Sequence, residues 1–119
     1  MPNGYHGKIL HVNLTEGELH VERPSEAFYR KYIGGSAMGM YYILKEMSPG
    51  ADPLGPENIL TLMLSALTGA PISGQSRLTA NAKSPLVDGI GDSQCGGFFP
   101  AELKFAGFDG IVVRGCLLA

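Results

Sequence analysis

Glycine and proline fall so densely along this chain that long regular helices cannot dominate whatever it folds into. Seventeen glycines and eight prolines make 25 of 119 residues, about 21% against roughly 12% in an average protein, so much of the backbone must lie in turns and close approaches. At 12.6 kDa the sequence is one domain's worth, too short for a cofactor domain plus a separate substrate domain. Its 45% hydrophobic content supplies a core and excludes intrinsic disorder. The net charge of -2 offers no footprint for a polyanion, so nucleic acid is not an expected partner.

Two cysteines, Cys95 and Cys116, can build neither a disulfide framework nor a four-thiolate zinc or iron–sulfur site, and a reducing, cytoplasmic setting is expected. Met1 to Lys8 holds no apolar targeting region, and the apolar runs are strand-length, so no membrane span is expected either.

The punctuated segments have readable periods. In Lys8 to Leu14, Leu10, Val12 and Leu14 share one face and His11 and Asn13 the other, the pattern of a half-buried strand. Gly17 closes a short connection, and Glu18 to Glu22 alternates again, giving a β-hairpin over 8–22. Ser25 offers an N-cap to a helix near 25–33 carrying Phe28, Tyr29, Tyr32 and Ile33 at helical spacing, ended by Gly34-Gly35. A second helix is predicted near 37–47, with Met40, Ile43, Leu44 and Met47 as its core stripe. Ile59 to Leu64 predicts a strand near 59–65 buried on both faces. Further strands are predicted near 77–82 and 110–114, with a short helix near 100–106; Thr68 to Ser76 and Pro85 to Gly97 read as loops. The class is α+β, a β-rich domain with an N-terminal hairpin, a mixed sheet and short helices, rather than a βαβ series.

Chemistry concentrates between Gly69 and Gly97. Arg77 follows Gly74-Gln75-Ser76, and Gly89-Ile90-Gly91-Asp92-Ser93-Gln94-Cys95-Gly96-Gly97 runs up to a helix start. Glycines let backbone N–H groups approach an oxyanion, a helix N-terminus adds partial positive charge, and Arg77 offers a bidentate contact. Two readings stand: an anion cradle, or a set of glycine turns with Arg77 in a surface ion pair, since the P-loop and Rossmann spacings are both absent. His6, His11 and His20 cluster about the hairpin without a third ligand, and read as exposed or hydrogen-bonded structural residues. Cys95 lies where a thiolate is favoured but has no evident histidine base, so a packing role outweighs a nucleophilic one.

At these residues the chain resembles the N-terminal domain of the tungsten-containing aldehyde:ferredoxin oxidoreductase family. The resemblance is carried by Gly4-Tyr5-His6-Gly7-Lys8 running into Val12-Asn13-Leu14-Thr15-Glu16-Gly17, by Tyr32-Ile33-Gly34-Gly35, and by Asp52-Pro53-Leu54 with Pro56-Glu57-Asn58. It continues through Leu67-Thr68-Gly69, Lys83-Ser84-Pro85-Leu86, Gly96-Gly97-Phe98-Phe99 and Glu102 to Asp109, and covers nearly the whole chain to about Gly115. It implies an enzyme that oxidises aldehydes to carboxylates, with tungsten (or molybdenum) held by two pterins and electrons passed to a 4Fe-4S cluster and then to ferredoxin or another carrier. Residues 1–119 would be a single, incomplete tungstopterin-base domain.

By the same resemblance, Arg77, Gln94, Cys95, Gly96 and Gly97 contact the pterin phosphates, and the backbone carbonyl of Gln94 reaches their bridging magnesium. The family more often has Asn and a small residue where this chain has Gln94 and Cys95, so a side-chain contact is altered while a backbone one survives. The family's cluster cysteines and substrate pocket lie in later sequence, and Cys116-Leu117-Leu118-Ala119 does not resemble the family's continuation. The chain alone is therefore expected to be inactive, to depend on the remaining domains, and to self-associate through uncovered apolar surface or strand edges. The alternative is a non-catalytic phosphate-ligand-binding or subunit-assembly module that keeps the fold.

Overall fold

The computed structural model describes residues 3–117; Met1, Pro2, Leu118 and Ala119 lie outside the described residues. Along the chain run β1 (Ile9–Asn13), β2 (Glu18–Glu22), α1 (Glu26–Tyr32), α2 (Gly35–Glu46), β3 (Ile59–Met63), β4 (Leu78–Lys83), β5 (Ile90–Cys95), α3 (Phe98–Phe105) and β6 (Gly110–Arg114). The strands form one sheet in the order β2-β1-β6-β3-β4-β5. Only β1 and β6 pair in parallel; the other neighbours are antiparallel. The mixed α+β architecture expected from the sequence is what forms.

Local chemistry places the helices. The Ser25 hydroxyl accepts from the Phe28 N–H at 3.3 Å and caps α1, and Arg30 answers Glu26 one turn away. Helix α2 lies across one face of the sheet, where Met38, Tyr42 and Ile43 join Tyr29 of α1 over Ile9, Val112, Ile59 and Met63 in one core. Its inner stripe is therefore set back from the expected one: Leu44 is 74% exposed. Gly39 makes the approach possible, since a Cβ there would stand 2.5 Å from Thr61 Oγ1 and 2.7 Å from Asn81 Oδ1.

Three expectations are corrected. Pro85 to Gly97 is not loop throughout: Ile90 to Cys95 pairs residue for residue with β4. Nothing apolar alternates in Gly91-Asp92-Ser93-Gln94, so this strand exists by partnership rather than by pattern. Second, β3 is not buried on both faces, because Ile59, Thr61 and Met63 are buried while Leu60 is 40% exposed. Third, the polar face of the hairpin is the covered one. Ile9 and His11 are buried beneath the helices, and Leu10 and Val12 point to the other side. His11 is satisfied by Glu22 at 2.6 Å and Arg114 at 3.1 Å, Tyr42 donates to Glu22 at 2.9 Å, and Arg114 also pairs with Glu46.

Asp109 fastens the N-terminal segment to the sheet. Its carboxylate, 2% exposed, accepts from the backbone N–H groups of His6, Gly7 and Lys8, from Tyr29 and from Lys104. Burial pushes its pKa up, but the His6 N–H, the Lys104 charge and the remaining hydrogen bonds outweigh it, and the carboxyl sits below its ordinary range.

Candidate functional site

One end of the sheet gathers the residues singled out in the sequence. In the β4–β5 ladder Leu78 stands opposite Cys95 and Thr79 opposite Gln94, so Arg77 and Gly96 flank the last rungs. The Ser76 hydroxyl donates to the Gly97 carbonyl at 2.5 Å and ties the two segments together. The loop before Arg77 is held from within. Thr68 Oγ1 donates to the Arg77 carbonyl at 3.2 Å, and Gln75 Oε1 accepts from the Gly69 N–H at 2.6 Å.

Arg77 itself is exposed, and none of the ion pairs among the described residues involves it. The surface ion pair weighed from the sequence is not formed. Gly97 caps α3 at φ 89 with no side-chain hydrogen bond to the helix, and a Cβ there would meet nothing within 4 Å. The start of α3 thus has no side-chain cap, and the backbone of Arg77 lies next to that of Gly96 at the end of the ladder; a guanidinium and main-chain N–H groups are donors that suit an oxyanion.

The structure also separates the predicted residues. Alternation puts Gln94 on the helix-covered side of the sheet with Thr79, whereas Cys95 lies on the opposite side and is exposed. Two elements at this end were not foreseen. Helix α2 begins here, with Gly34 as N-cap at φ 156, no side-chain cap, and the Gly35 N–H bonded to the Leu64 carbonyl at 3.1 Å. Ser36, in its first turn, hydrogen-bonds the Asp92 carboxylate, which Asn81 Nδ2 also reaches at 3.0 Å. These bonds, Ser36 first, draw the Asp92 carboxyl below its ordinary pKa. The signal was the polar side of β5, Asp92 and Gln94 two apart, which shows only once the strand is recognised. No group of three or more His, Cys, Asp or Glu able to hold a metal occurs among the described residues.

Residues 9–117 match the family model described as aldehyde ferredoxin oxidoreductase, N-terminal domain. The chain belongs to that family. It is 46% identical over 112 residues to the tungsten-containing aldehyde ferredoxin oxidoreductases of Pyrococcus abyssi and Thermococcus kodakarensis. Those alignments cover 94% of this chain and 18% of each relative. The aliphatic sulfonate oxidoreductase, WOR-like subunit, of Pyrococcus furiosus is 36% identical over 114 residues, 93% of this chain and 18% of that one. Among solved structures, the active site complex BamBC of benzoyl coenzyme A reductase, in complex with 1,5-dienoyl-CoA, superposes with a TM-score of 0.93 at 31% identity. That match covers 98% of this chain and 18% of the other. This aldehyde ferredoxin oxidoreductase N-terminal domain thus spans about a fifth of the length of the relatives it matches, and the sheet and helices above are the fold it shares with them.

Proposed function

We propose that this chain is the part of a tungstopterin-base domain that holds cofactor phosphates in an aldehyde ferredoxin oxidoreductase. The observation that carries the reading is the unpaired Arg77 beside the uncapped start of α3 at Gly97, in a chain of this family. The donor set fits the group: a planar guanidinium and open backbone N–H groups suit phosphate oxygens, and the shortage of acidic clusters suits a magnesium ion already charge-balanced by phosphate. When bound, the tungsten (or molybdenum) pterin supplies the redox chemistry by which an aldehyde becomes a carboxylate.

The residues of this chain bind and orient. Arg77 clamps a phosphate in plane. Gly96 and Gly97 admit the phosphate to the backbone, with a Gly96 Cβ already 3.3 Å from the Ser76 carbonyl before any ligand enters. Gln94 offers its main-chain carbonyl toward magnesium, and Cys95, whose side chain is exposed on the other side of the sheet, contributes its backbone alone. The 4Fe-4S cluster and the exchange with ferredoxin or another carrier belong to the remaining domains, in a cytoplasmic enzyme.

Inorganic pyrophosphate, with and without magnesium, is the probe for the purified chain. Amide shifts in a ¹H–¹⁵N spectrum should concentrate at Gly96, Gly97 and Phe98. Arg77→Ala should weaken binding by about 1 kcal/mol, as for an exposed charge pair, and Gly96→Val should weaken it as well, while His20→Ala should not. In the complete enzyme the same two substitutions should lower tungsten or molybdenum per mole of folded protein. Shifts confined to the hairpin, or full binding by Arg77→Ala, would place the phosphates elsewhere. Phosphate binding by an enzyme form that never acquires metal would favour the non-catalytic module.

A further inference from the structure

Strand β5 and the two glycines after it carry every residue assigned to the phosphate site except Arg77, yet little in their side chains holds them to the fold. On the side facing α2 the strand bears Ile90, Asp92 and Gln94, opposite Lys83, Asn81 and Thr79; on the other side it bears Gly91, Ser93 and Cys95. Ile90, its one aliphatic residue, is 39% exposed and stands at the end far from the glycines. The strand lies at the edge of the sheet, with β4 on one side only. A segment with so few buried apolar contacts opens readily unless something else ties it down.

One side-chain bridge does so, two residues before Gln94. Asn81 is 1% exposed beneath Gly39, where a Cβ would stand 2.7 Å from its Oδ1. With that oxygen turned to the helix, Nδ2 reaches out to β5 and donates to the Gly91 carbonyl at 3.3 Å and to Asp92 Oδ2 at 3.0 Å. The same carboxylate oxygen accepts from the Ser36 hydroxyl in the first turn of α2. Ser36 and Gly39 are three apart and share a helix face. The contacts therefore close a ring, from α2 onto Asn81 of β4, from Asn81 to Asp92 of β5, and from Asp92 back to α2.

We infer that Asp92 is a positioning residue of the phosphate site, the brace by which α2 and β4 hold β5 so that Gln94, Gly96 and Gly97 present their backbone. This role rests on the reading of that backbone as phosphate-binding. Beyond β5 the Ser76 hydroxyl holds the Gly97 carbonyl, so the segment is pinned at both ends. At about 3.3 Å per residue Gly96 lies roughly 13 Å along the strand from Asp92, too far for the carboxylate to touch a phosphate seated there. Whatever field its charge exerts at that range opposes an anion, whereas the bonds it accepts favour the site by ordering the backbone. The two effects have opposite signs, and the sign decides between them.

The test uses the purified chain, with inorganic pyrophosphate and magnesium as the probe. Asp92→Ala and Ser36→Ala, both outside the core, should each raise the dissociation constant about threefold, toward the low end for one net hydrogen bond because Asp92 is exposed. The double variant should lose no more than Asp92→Ala alone, since both groups act through one contact. Ser36→Thr, which keeps the hydroxyl, should bind as the parent does. Without ligand, the β5 amides protected in the parent should exchange with deuterium faster in both alanine variants, while those of β1 and β6 keep their rates. Tighter pyrophosphate binding by Asp92→Ala would reduce the carboxylate to a repelling charge and overturn the proposal. Additive losses in the double variant, or β5 exchange unchanged in both single variants, would overturn it too. A parent chain that binds no pyrophosphate refutes the phosphate reading, whereas the ligand-free exchange rates decide the brace by themselves, so the two fail separately.

Discussion

Replacing Asp109 by Asn tests whether one buried carboxylate holds the N-terminal segment in place. The aspartate receives the backbone N–H groups of His6 at 3.0 Å, Gly7 at 2.7 Å and Lys8 at 3.2 Å, with Tyr29 at 2.9 Å and Lys104 at 3.0 Å. An amide keeps one acceptor oxygen, which can serve the N–H groups of His6, Gly7 and Lys8 and the Tyr29 hydroxyl from the Oδ2 position, and turns its NH₂ toward Lys104, so at least that ammonium loses its partner. Each stranded buried donor costs about 1–3 kcal/mol, and Lys104, 5% exposed, is left as an uncompensated charge. Breaking a buried pair from one side costs about 3–5 kcal/mol, which is the expected loss here and a large share of the 5–15 kcal/mol typical of a domain. Urea unfolding followed by circular dichroism at pH 7 should show a midpoint lower by about 2 M, taking a slope of about 2 kcal/mol/M. Adding Lys104→Met should recover part of the loss. Because the folded pKa of Asp109 is depressed, its contribution is complete above the unfolded value near 3.9 and is lost as pH falls through the folded one. The parent should therefore lose stability below about pH 5 by a component the Asn variant lacks. A midpoint within 0.5 M of the parent (about 1 kcal/mol), or Lys104→Met adding its full cost to that of Asp109→Asn, would refute the latch.

Three further outcomes follow from other contacts. Gly39→Ala should lower the thermal midpoint despite the better helix former, because its Cβ would stand 2.5 Å from Thr61 Oγ1 and overpacking costs about 1–3 kcal/mol. Ile33 sits at φ 66 in a three-residue turn closed by Gly34 N–H to the Tyr32 carbonyl at 2.7 Å; Ile33→Gly should raise the midpoint, since relief of about 1–3 kcal/mol of strain exceeds glycine's entropy cost. Burial first, and then the carboxylates Asp109 and Glu22, push the Tyr29 and Tyr42 hydroxyls far above their ordinary range, so their stabilisation is complete below pH 10 and lost as pH rises further. An absorbance titration at 295 nm should show these two tyrosines ionising only as the fold is lost at alkaline pH.

Much of this fold was legible because most elements carry their own period. The hairpin, both N-terminal helices, the runs at Ile59 and Ile111 and the short helix before Gly107 were placed within a few residues. What escaped was what depends on partners. Residues 90–95 have no apolar alternation, and their strand is imposed by pairing with β4. The site was half legible for the same reason. Arg77 and the Gly96-Gly97 pair stand out locally as candidate residues, whereas the start of α2 comes to this end of the sheet through Ser36 and Asp92, 56 residues apart.

The misassigned faces of β1 show where such reasoning meets its limit. A period of two says that a strand has two faces, and the usual inference sends the polar one to water. That inference assumes the apolar face has somewhere to go within the chain. Here the helices cover the side bearing His11, Glu22 and Arg114, and the cost of burying them is met by mutual pairing and by Tyr42 and Glu46. The aliphatic side is left without a layer, although it would cover a core more cheaply. The helices nevertheless sit over the more apolar centre of the sheet, Ile9, Ile59, Met63 and Val112, so a strand's own alternation does not decide which of its faces is covered; its neighbours in the sheet do.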